Sequence, residues 1–578
     1  GLPGTALAWG GNASGQLGDG TAMKSHVPVL LRLPGGVTAL SAGAGHGLAL
    51  DADGTVWAWG NNNHGELGNG TFTDSSVPVQ VKDPTGGGLL TGIVAVSAGY
   101  DHSLALDKDG RVYGWGSNDA GQLGVDPTVP PATDRYNLPR EIISTGIRAI
   151  AAGQQFSLAL GVGPGDEGCV SAWGINDFGQ LGRGDDARHV GPDFVTRGPG
   201  MVLWNIKSIA AGWNHALALD RDGNVWAWGK NEFSQLGVPG PTPSLVAIQT
   251  GLGNVSAVSA GLGFSLALDK SRIVWAWGGN WNGQLGDGTR EDDIPGNGVV
   301  EGKAVPQPVK ISATESLGRI KAISAGRFHG LALDRDGKLW AWGDNQSGAL
   351  GHDPVETPES LYAVPVKDFG GRNDLSRVLD IAAGNLFSMA MEKRGFNATV
   401  SLSSSVNPAA SGQAVTLKAV VTPVQSGTGT PAGTVVFKEG HAILGSADLV
   451  DGEAAFTTSS LAPGPREITA VYSGEGFTSC TSPVLTQLIV VPIRIVTSEM
   501  PTGMKGLPYR RSIVYAGGYG PTEWSIVVGS LPGGLELQNG VVTGMPTTAG
   551  AYRFTVQVRN SGFTDSRTLT LRIQYPGR

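Results

Sequence analysis

Short runs in which large apolar residues alternate with small or polar ones dominate the first two-thirds of this chain. In Gly47-Leu48-Ala49-Leu50 the leucines alternate with Gly47 and Ala49, and in Trp57-Ala58-Trp59 the tryptophans flank a small residue. A period of two is that of a β-strand with two unlike faces. Between these runs lies Asp51-Ala52-Asp53-Gly54, in which the glycine can supply a positive φ, so the pair reads as a β-hairpin. The same turn recurs at Asp107–Gly110, Asp220–Gly223 and Asp334–Gly337. Asp-x-Asp-Gly also opens calcium loops, but here strand residues follow at once and no glutamate stands at the twelfth place, so the hairpin reading is preferred.

The pattern is periodic on a longer scale. A Trp-Gly phrase, followed by Asn and a loop closing on Leu-Gly, begins at Trp9, Trp59, Trp115, Trp173, Trp228, Trp277 and Trp342, about 50–65 residues apart. An Ala-Gly phrase, which precedes the first strand of each hairpin, ends at Gly43, Gly99, Gly153, Gly212, Gly261, Gly326 and Gly384. Self-similarity at such a period marks an array of units, none of which buries its apolar face alone. The chain opens on the second half of a unit, Thr5-Ala6-Leu7-Ala8-Trp9-Gly10, and the last copy, Phe387-Ser388-Met389-Ala390-Met391, is a first half with no Trp-Gly after it. The two halves are therefore expected to complete one shared unit and close a ring, removing the sheet edge that would invite aggregation.

Composition narrows the function classes. Charged residues make up 16% of the chain, against ~25% in ordinary globular proteins, and 91 of 578 residues are glycine, which fits an all-β protein rich in turns. The net charge of −8 carries no basic run, which argues against a nucleic-acid partner. No apolar stretch reaches the ~18 residues of a membrane span. Cys169 and Cys480 fit neither a disulfide framework nor a metal site. No nucleophile–base pair, phosphate loop or metal-ligand cluster stands out from the repeat, so neither catalysis nor a cofactor is expected.

The consensus Ser-Ala-Gly-x-x-His-(Ser/Gly)-Leu-Ala-Leu-Asp-x-Asp-Gly-x-Val-Trp-Ala-Trp-Gly-x-Asn-x-x-Gly-Gln-Leu-Gly resembles the repeat of the regulator of chromosome condensation family over residues 1–394. The resemblance implies a seven-bladed β-propeller, with one blade for each pair of half-repeats. His46, His102, His215 and His329 share one repeat position with Phe156, Phe264 and Phe387, so these histidines are expected to be buried and hydrogen-bonded rather than catalytic. The repeat tryptophans are expected in the core. Function is expected where the copies disagree: Tyr100, Asp101, Trp213, Asn214, Arg327 and Phe328 after the Ala-Gly phrases, and Phe178, Phe233 and Trp281 in the Trp-Gly loops. Exposed aromatic and arginine side chains on one rim are the residue types that dominate protein-binding hot spots. The competing reading is that several fold back over the central channel. Insertions near 125–146 and 287–319 interrupt the regularity; the Arg290-Glu291-Asp292-Asp293 run in the second reads as a solvated loop, as does Gly163-Pro164-Gly165-Asp166 in a shorter insertion. Family members engage a small GTPase or, in a secreted bacterial relative, block β-lactamases through aromatic-rich loops.

Beyond Arg394 the grammar changes. Residues 396–492 are dense in Thr, Val and Ser, and Ser403-Ser404-Ser405-Val406-Asn407-Pro408, Pro431–Phe437 and Ile468–Gly474 resemble the group-three bacterial immunoglobulin-like domain. Residues 493–578, through Gly506-Leu507-Pro508-Tyr509, Gly529–Leu535 and Gly544–Thr547, resemble a putative immunoglobulin domain of bacterial surface proteins, with Trp524 expected as its core aromatic. Few acidic residues argue against the calcium that such domains often bind. The two modules imply export from a bacterium, to the cell surface or beyond. The expected function is a non-enzymatic scaffold that binds a protein partner through the propeller rim, the modules acting as spacers or joining an envelope or extracellular assembly. The alternatives are an inhibitor of a secreted enzyme and, less favoured, a guanine-nucleotide exchange factor.

Overall fold

A computed structural model describes residues 4–576 except 34–35, 129–132, 162–167, 291–301, 370, 372, 394–397, 425–429, 475–476 and 478. The Gly163–Asp166 loop and most of the Arg290–Asp293 run therefore lie outside the described residues. Every described regular element is a β-strand. The chain divides into two compact units, Gly1–Gly395 and Phe396–Arg578.

The strands of the first unit group into seven four-stranded antiparallel sheets among the described residues, two of them joined by the single pair Gly4↔Val37. Val37–Ala42, His46–Asp51, Val56–Gly60 and Ser75–Gln80 form a representative blade from the inside outward. In the blade that joins the two ends of the unit, Gly4–Gly10 pairs along its whole length with Phe387–Lys393, from Gly4↔Lys393 to Gly10↔Phe387. Val378–Ala383 lies inside this pair and Ser25–Leu30 outside it.

The fourth, outermost strand of each blade is not evident as alternation in the sequence. Proline interrupts several of them, as at Pro28, Pro78, Pro139 and Pro192, and proline is tolerated at a sheet edge because its missing N–H faces no neighbour. The two long insertions contribute such strands: Arg135–Ile143 and Lys303–Pro308 complete their blades.

The seven repeat tryptophans have no exposed surface. Each indole N–H donates to a backbone carbonyl of the preceding blade: Trp59 to Gln16, Trp115 to Glu66, Trp173 to Gln122, Trp228 to Gln180, Trp277 to Gln235 and Trp342 to Gln284, at 2.7–2.9 Å. Trp9 to Ala349, at 2.8 Å, completes the set across the shared blade. Burying a ring of this size contributes at least ~3 kcal/mol. The Asp-x-Asp-Gly turns are self-contained: Asp51 accepts the N–H groups of Asp53 and Thr55 and the indole N–H of Trp57, and Gly54 sits at φ +77°.

The second unit holds two successive β-sandwiches. In the first, Ala398–Ser404, Val415–Pro423 and Glu453–Thr458 face a larger sheet built on Thr434–Glu439, Gly464–Ser473 and Leu485–Val490, over a core that includes Phe437, Ile468 and Tyr472. In the second, the long hairpin Gly550–Asn560 and Phe563–Gln574 anchors the main sheet. Its fully buried aromatic is Phe554. Trp524, the expected core aromatic, is only half-buried and packs edge-on against Tyr515 at 5.7 Å, because its strand, Glu523–Gly529, lies at the edge of the sheet.

Candidate functional site

Each innermost strand of the propeller ends on Ala-Gly, and the glycine is required by close approach. A Cβ on Gly43 would stand 2.5 Å from the Gly99 carbonyl and 2.6 Å from the His46 ring, and one on Gly153 would stand 2.2 Å from the Phe156 ring. The residue after the glycine turns its N–H toward the next blade: Tyr100 donates to the Gly153 carbonyl, Trp213 to Gly261, Arg327 to Gly384 and, across the junction of the chain ends, Asn385 to Gly43. Ala44 donates likewise to Gly99, and Ala44, Tyr100, Gln154, Trp213, Leu262, Arg327 and Asn385 line one mouth of the channel. The cavity they enclose is about 80 Å³, far below the ~300–1,000 Å³ of small-molecule sites. The mouth is a surface and not a pocket.

On that surface the side chains interlock. The Tyr100 ring meets Trp213 edge-on at 5.2 Å, and Trp213 in turn lies 5.1 Å from the Arg327 guanidinium. Arg327 also covers the Phe328 ring at 4.8 Å, Phe328 meets Trp281 at 6.0 Å, and Trp281 meets Phe233 at 4.4 Å. Lys230 then bridges Phe233, at 5.7 Å, and Phe178, at 4.8 Å. The result is one ridge of six aromatic and two cationic groups drawn from five blades. All eight side chains are half-buried. Trp213 reaches neighbours two blades away on either side, so it folds over the channel mouth. The guanidinium between Trp213 and Phe328 keeps its Nε buried without a hydrogen-bond acceptor, as does the Asn385 Oδ1 for want of a donor.

The structure thus brings together Tyr100, Trp213, Arg327, Phe328, Phe178, Phe233 and Trp281. It does not bring Asp101 and Asn214 to the ridge. Asn214 accepts from the Gln180 Nε2 at 3.4 Å, and Asp101 turns toward His64 and Glu66. Lys230 belongs to the ridge and was not singled out from the sequence. Its signal is the residue after each Trp-Gly, which also varies: Gly11, Asn61, Ser117, Ile175, Lys230, Gly279 and Asp344. Burial raises the Asp344 carboxyl above the usual range, and the nearby Arg327 partly offsets this.

The repeat histidines are not part of this surface. His46, His102, His215 and His329 are at most 1% exposed. Each Nε2 meets a serine of the next blade, at 2.9–3.0 Å: Ser103, Ser157, Ser265 and Ser388. Each serine donates onward to a backbone carbonyl, so it accepts from the imidazole, which fixes the proton on Nε2.

A seven-sheet ring with this surface at one mouth is a β-propeller of the regulator of chromosome condensation type. The RCC1-like domain profile matches residues 3–297, and RCC1 repeat profiles match 273–333, 320–349 and 336–391; the chain belongs to the RCC1-like family. The bacterial Ig-like domain (group 3) matches residues 402–490 and the putative Ig domain 491–574. The chain is 33% identical over 264 residues to the ultraviolet-B receptor UVR8 of Arabidopsis thaliana, covering 45% of this chain and 55% of the receptor. It is 26% identical over 309 residues to the guanine nucleotide exchange factor SRM1 of Saccharomyces cerevisiae, covering 52% and 50%. The chain thus spans about half the length of these curated relatives. Among solved structures, Prp20p of Saccharomyces cerevisiae superposes with a TM-score of 0.57 at 24% identity over 68% of this chain and 92% of that one. Human WBSCR16 gives 0.56 at 23% over 68% and 99%. These two show the same fold.

Proposed function

We propose that this chain is a non-enzymatic binding protein, exported from a bacterium, that captures a protein partner on the aromatic–cationic ridge of its propeller. The observation that carries this reading is Arg327: a guanidinium held between two aromatic rings on a rigid scaffold, with hydrogen-bonding capacity left over. Such preorganised Trp, Tyr and Arg clusters supply the anchors of protein interfaces. An acceptor on the partner, a carboxylate or a main-chain carbonyl, would meet the outer guanidinium nitrogens and not the buried Nε. Proteins of the same fold support the class of function, since the yeast propeller Prp20 was solved with Kap60 bound and Prp20p was studied for binding to Gsp1p and histones. The immunoglobulin-like modules, found in bacterial proteins, support export and a role as spacer or assembly domains.

The test is affinity capture with the full chain from the extracellular and envelope fractions of its source, run beside the Trp213→Ala/Arg327→Ala/Phe328→Ala variant. A partner retained in stoichiometric amount by the parent and lost by the variant supports the reading. A single captured enzyme whose activity falls on binding favours the inhibitor alternative, which uses the same ridge. Acceleration of nucleotide release from a captured GTPase would replace both with the exchange-factor reading. A partner held equally by parent and variant would move the site off the ridge.

A further inference from the structure

The loop Asn61–Gly68 departs from its counterparts at one chemically decisive position. Where five other blades place Gln16, Gln122, Gln180, Gln235 and Gln284, and a sixth Ala349, this loop places Glu66. The glutamines use Oε1 to accept the backbone N–H two residues earlier, from Ser14, Ala120, Phe178, Phe233 and Asn282, at 2.8–3.0 Å. Two of them visibly use the amide as well: Gln122 donates to Ser117 and Asp119, and Gln180 to Asn214. Glu66 keeps the first bond, its Oε2 accepting the His64 N–H at 2.8 Å, but has no amide for the second. Its Oε1 faces the His64 Nδ1 at 3.4 Å and the carboxylate of Asp101, the residue that takes the place of Asn214.

The amide pair of one blade is thus a carboxylate pair in another, with an imidazole alongside. One ligand atom each from His64, Glu66 and Asp101 lie within 4.8 Å of one another. The Glu66 side chain is 1% exposed, and its ion-pair partner among the described residues is His64 alone. The charged groups acting on Asp101 are His64 and Asp119, the second of which adds repulsion. Burial raises both carboxyls above their ordinary range, and repulsion adds to it, from Asp101 at Glu66 and from Asp119 at Asp101. Two carboxylates this close, one of them buried, with a single half-exposed imidazole beside them, leave room for a further positive charge. A nitrogen and two carboxylate oxygens are the donors of a zinc-class ion, three protein ligands with an open fourth position; Ca²⁺ would want six to eight oxygens.

We propose that His64, Glu66 and Asp101 form a binding site for a divalent transition-metal ion of the zinc class, through His64 Nδ1 and one oxygen from each carboxylate. Glu66 is the fixed ligand, pinned by its backbone bond. His64, with 41% of its side chain exposed, is the ligand able to close on the ion. Asp101 follows Tyr100 directly, so an ion here would stiffen the loop that carries one end of the aromatic ridge.

The test is calorimetric titration of the full, tag-free chain with Zn²⁺ at neutral pH, with the thermal midpoint read in parallel. One ion bound per chain at micromolar affinity or tighter, with a raised midpoint, is the expected result. Glu66→Gln installs the side chain that five other blades carry, and should weaken binding at least ~100-fold without lowering the metal-free midpoint. His64→Ala and Asp101→Asn each should weaken it at least ~10-fold, and they decide the matter if Glu66→Gln does not fold. Absence of Zn²⁺ binding to the parent, undiminished binding by these variants, or a response to Ca²⁺ with none to Zn²⁺ would overturn the proposal.

Discussion

His329 donates from Nε2 to the Ser388 Oγ across a blade boundary, at 2.9 Å, and Ser388 hands the bond on to the Ala349 carbonyl. The same relation decides residue choice around the whole ring. Blades with His46, His102, His215 and His329 are followed by blades with Ser103, Ser157, Ser265 and Ser388, whereas Phe156, Phe264 and Phe387 are followed by Ala216, Gly330 and Gly47. A buried imidazole N–H needs an acceptor, and a phenyl ring needs only room. Ser388→Ala should therefore cost about 1–3 kcal/mol by stranding the His329 N–H. The double change His329→Phe/Ser388→Gly copies the Phe264–Gly330 pair and should recover at least half of that loss. Denaturant unfolding of the single and double variants checks this, and strictly additive losses would contradict it.

Burial of these histidines has a pH signature. It lowers the pKa from 6.5 to about 3 at His215 and to about 4 at His329, so both rings are neutral when folded and take up protons when unfolded below pH 6.5. The unfolded state binds more protons in that window, so stability is full above pH 6.5 and falls as the pH drops toward 4. Each ring contributes a slope approaching ~1.4 kcal/mol per pH unit. The thermal midpoint between pH 7.5 and 4.5 should fall steeply, and less steeply in His215→Phe/Ser265→Gly. An unchanged slope in that variant would locate the acid sensitivity elsewhere.

Closure through the shared blade makes Trp9 energetically equivalent to an internal tryptophan. Trp9→Ala and Trp228→Ala should each cost about 3–5 kcal/mol, and removal of residues 1–18 should cost more than either. Unfolding measured side by side tests the equivalence. A Trp9→Ala protein that unfolds like the parent would show that the N-terminal strand is not integral to the ring.

The scaffold was legible in the sequence because its grammar is local: alternating strands, turn glycines and half-repeats left over at each end can all be read along the chain. The outer strands were not, because a segment such as Ser75–Gln80 is half-buried on both faces and broken by Pro78, which erases the alternation. The ridge was legible as residue types at variable positions. That Trp213 reaches across the mouth to both Tyr100 and Arg327 was not, since this depends on how closely non-adjacent blades approach. Asp101 and Asn214 share the repeat position of Phe328, but their polar side chains turn to partners in the neighbouring loop, His64 and Glu66 for Asp101 and Gln180 for Asn214, where the Phe328 ring stays on the ridge. Glu66 escaped notice because Gln and Glu look alike in a repeat, although only one of them carries a charge.

Ridge and opposite face differ in chemistry, so a partner that docks by the ridge should ignore the Asp-x-Asp-Gly turns. Loss of Phe233 or Trp281 removes an aromatic neighbour from the cluster and should weaken binding less than loss of Arg327, which joins Trp213 to Phe328 and carries the donors of the ridge's central cation. Binding constants for Phe233→Ala, Trp281→Ala and Arg327→Ala check this order, and equal losses would mean that apolar area alone decides affinity.

The most direct measurement is the affinity of the captured partner for the parent chain, for Arg327→Ala and for Lys108→Ala on the opposite face. A loss of at least ~30-fold for Arg327→Ala, corresponding to the ~2 kcal/mol of a hot spot, with no change for Lys108→Ala, is the predicted result. Parent-like affinity for Arg327→Ala would contradict the account.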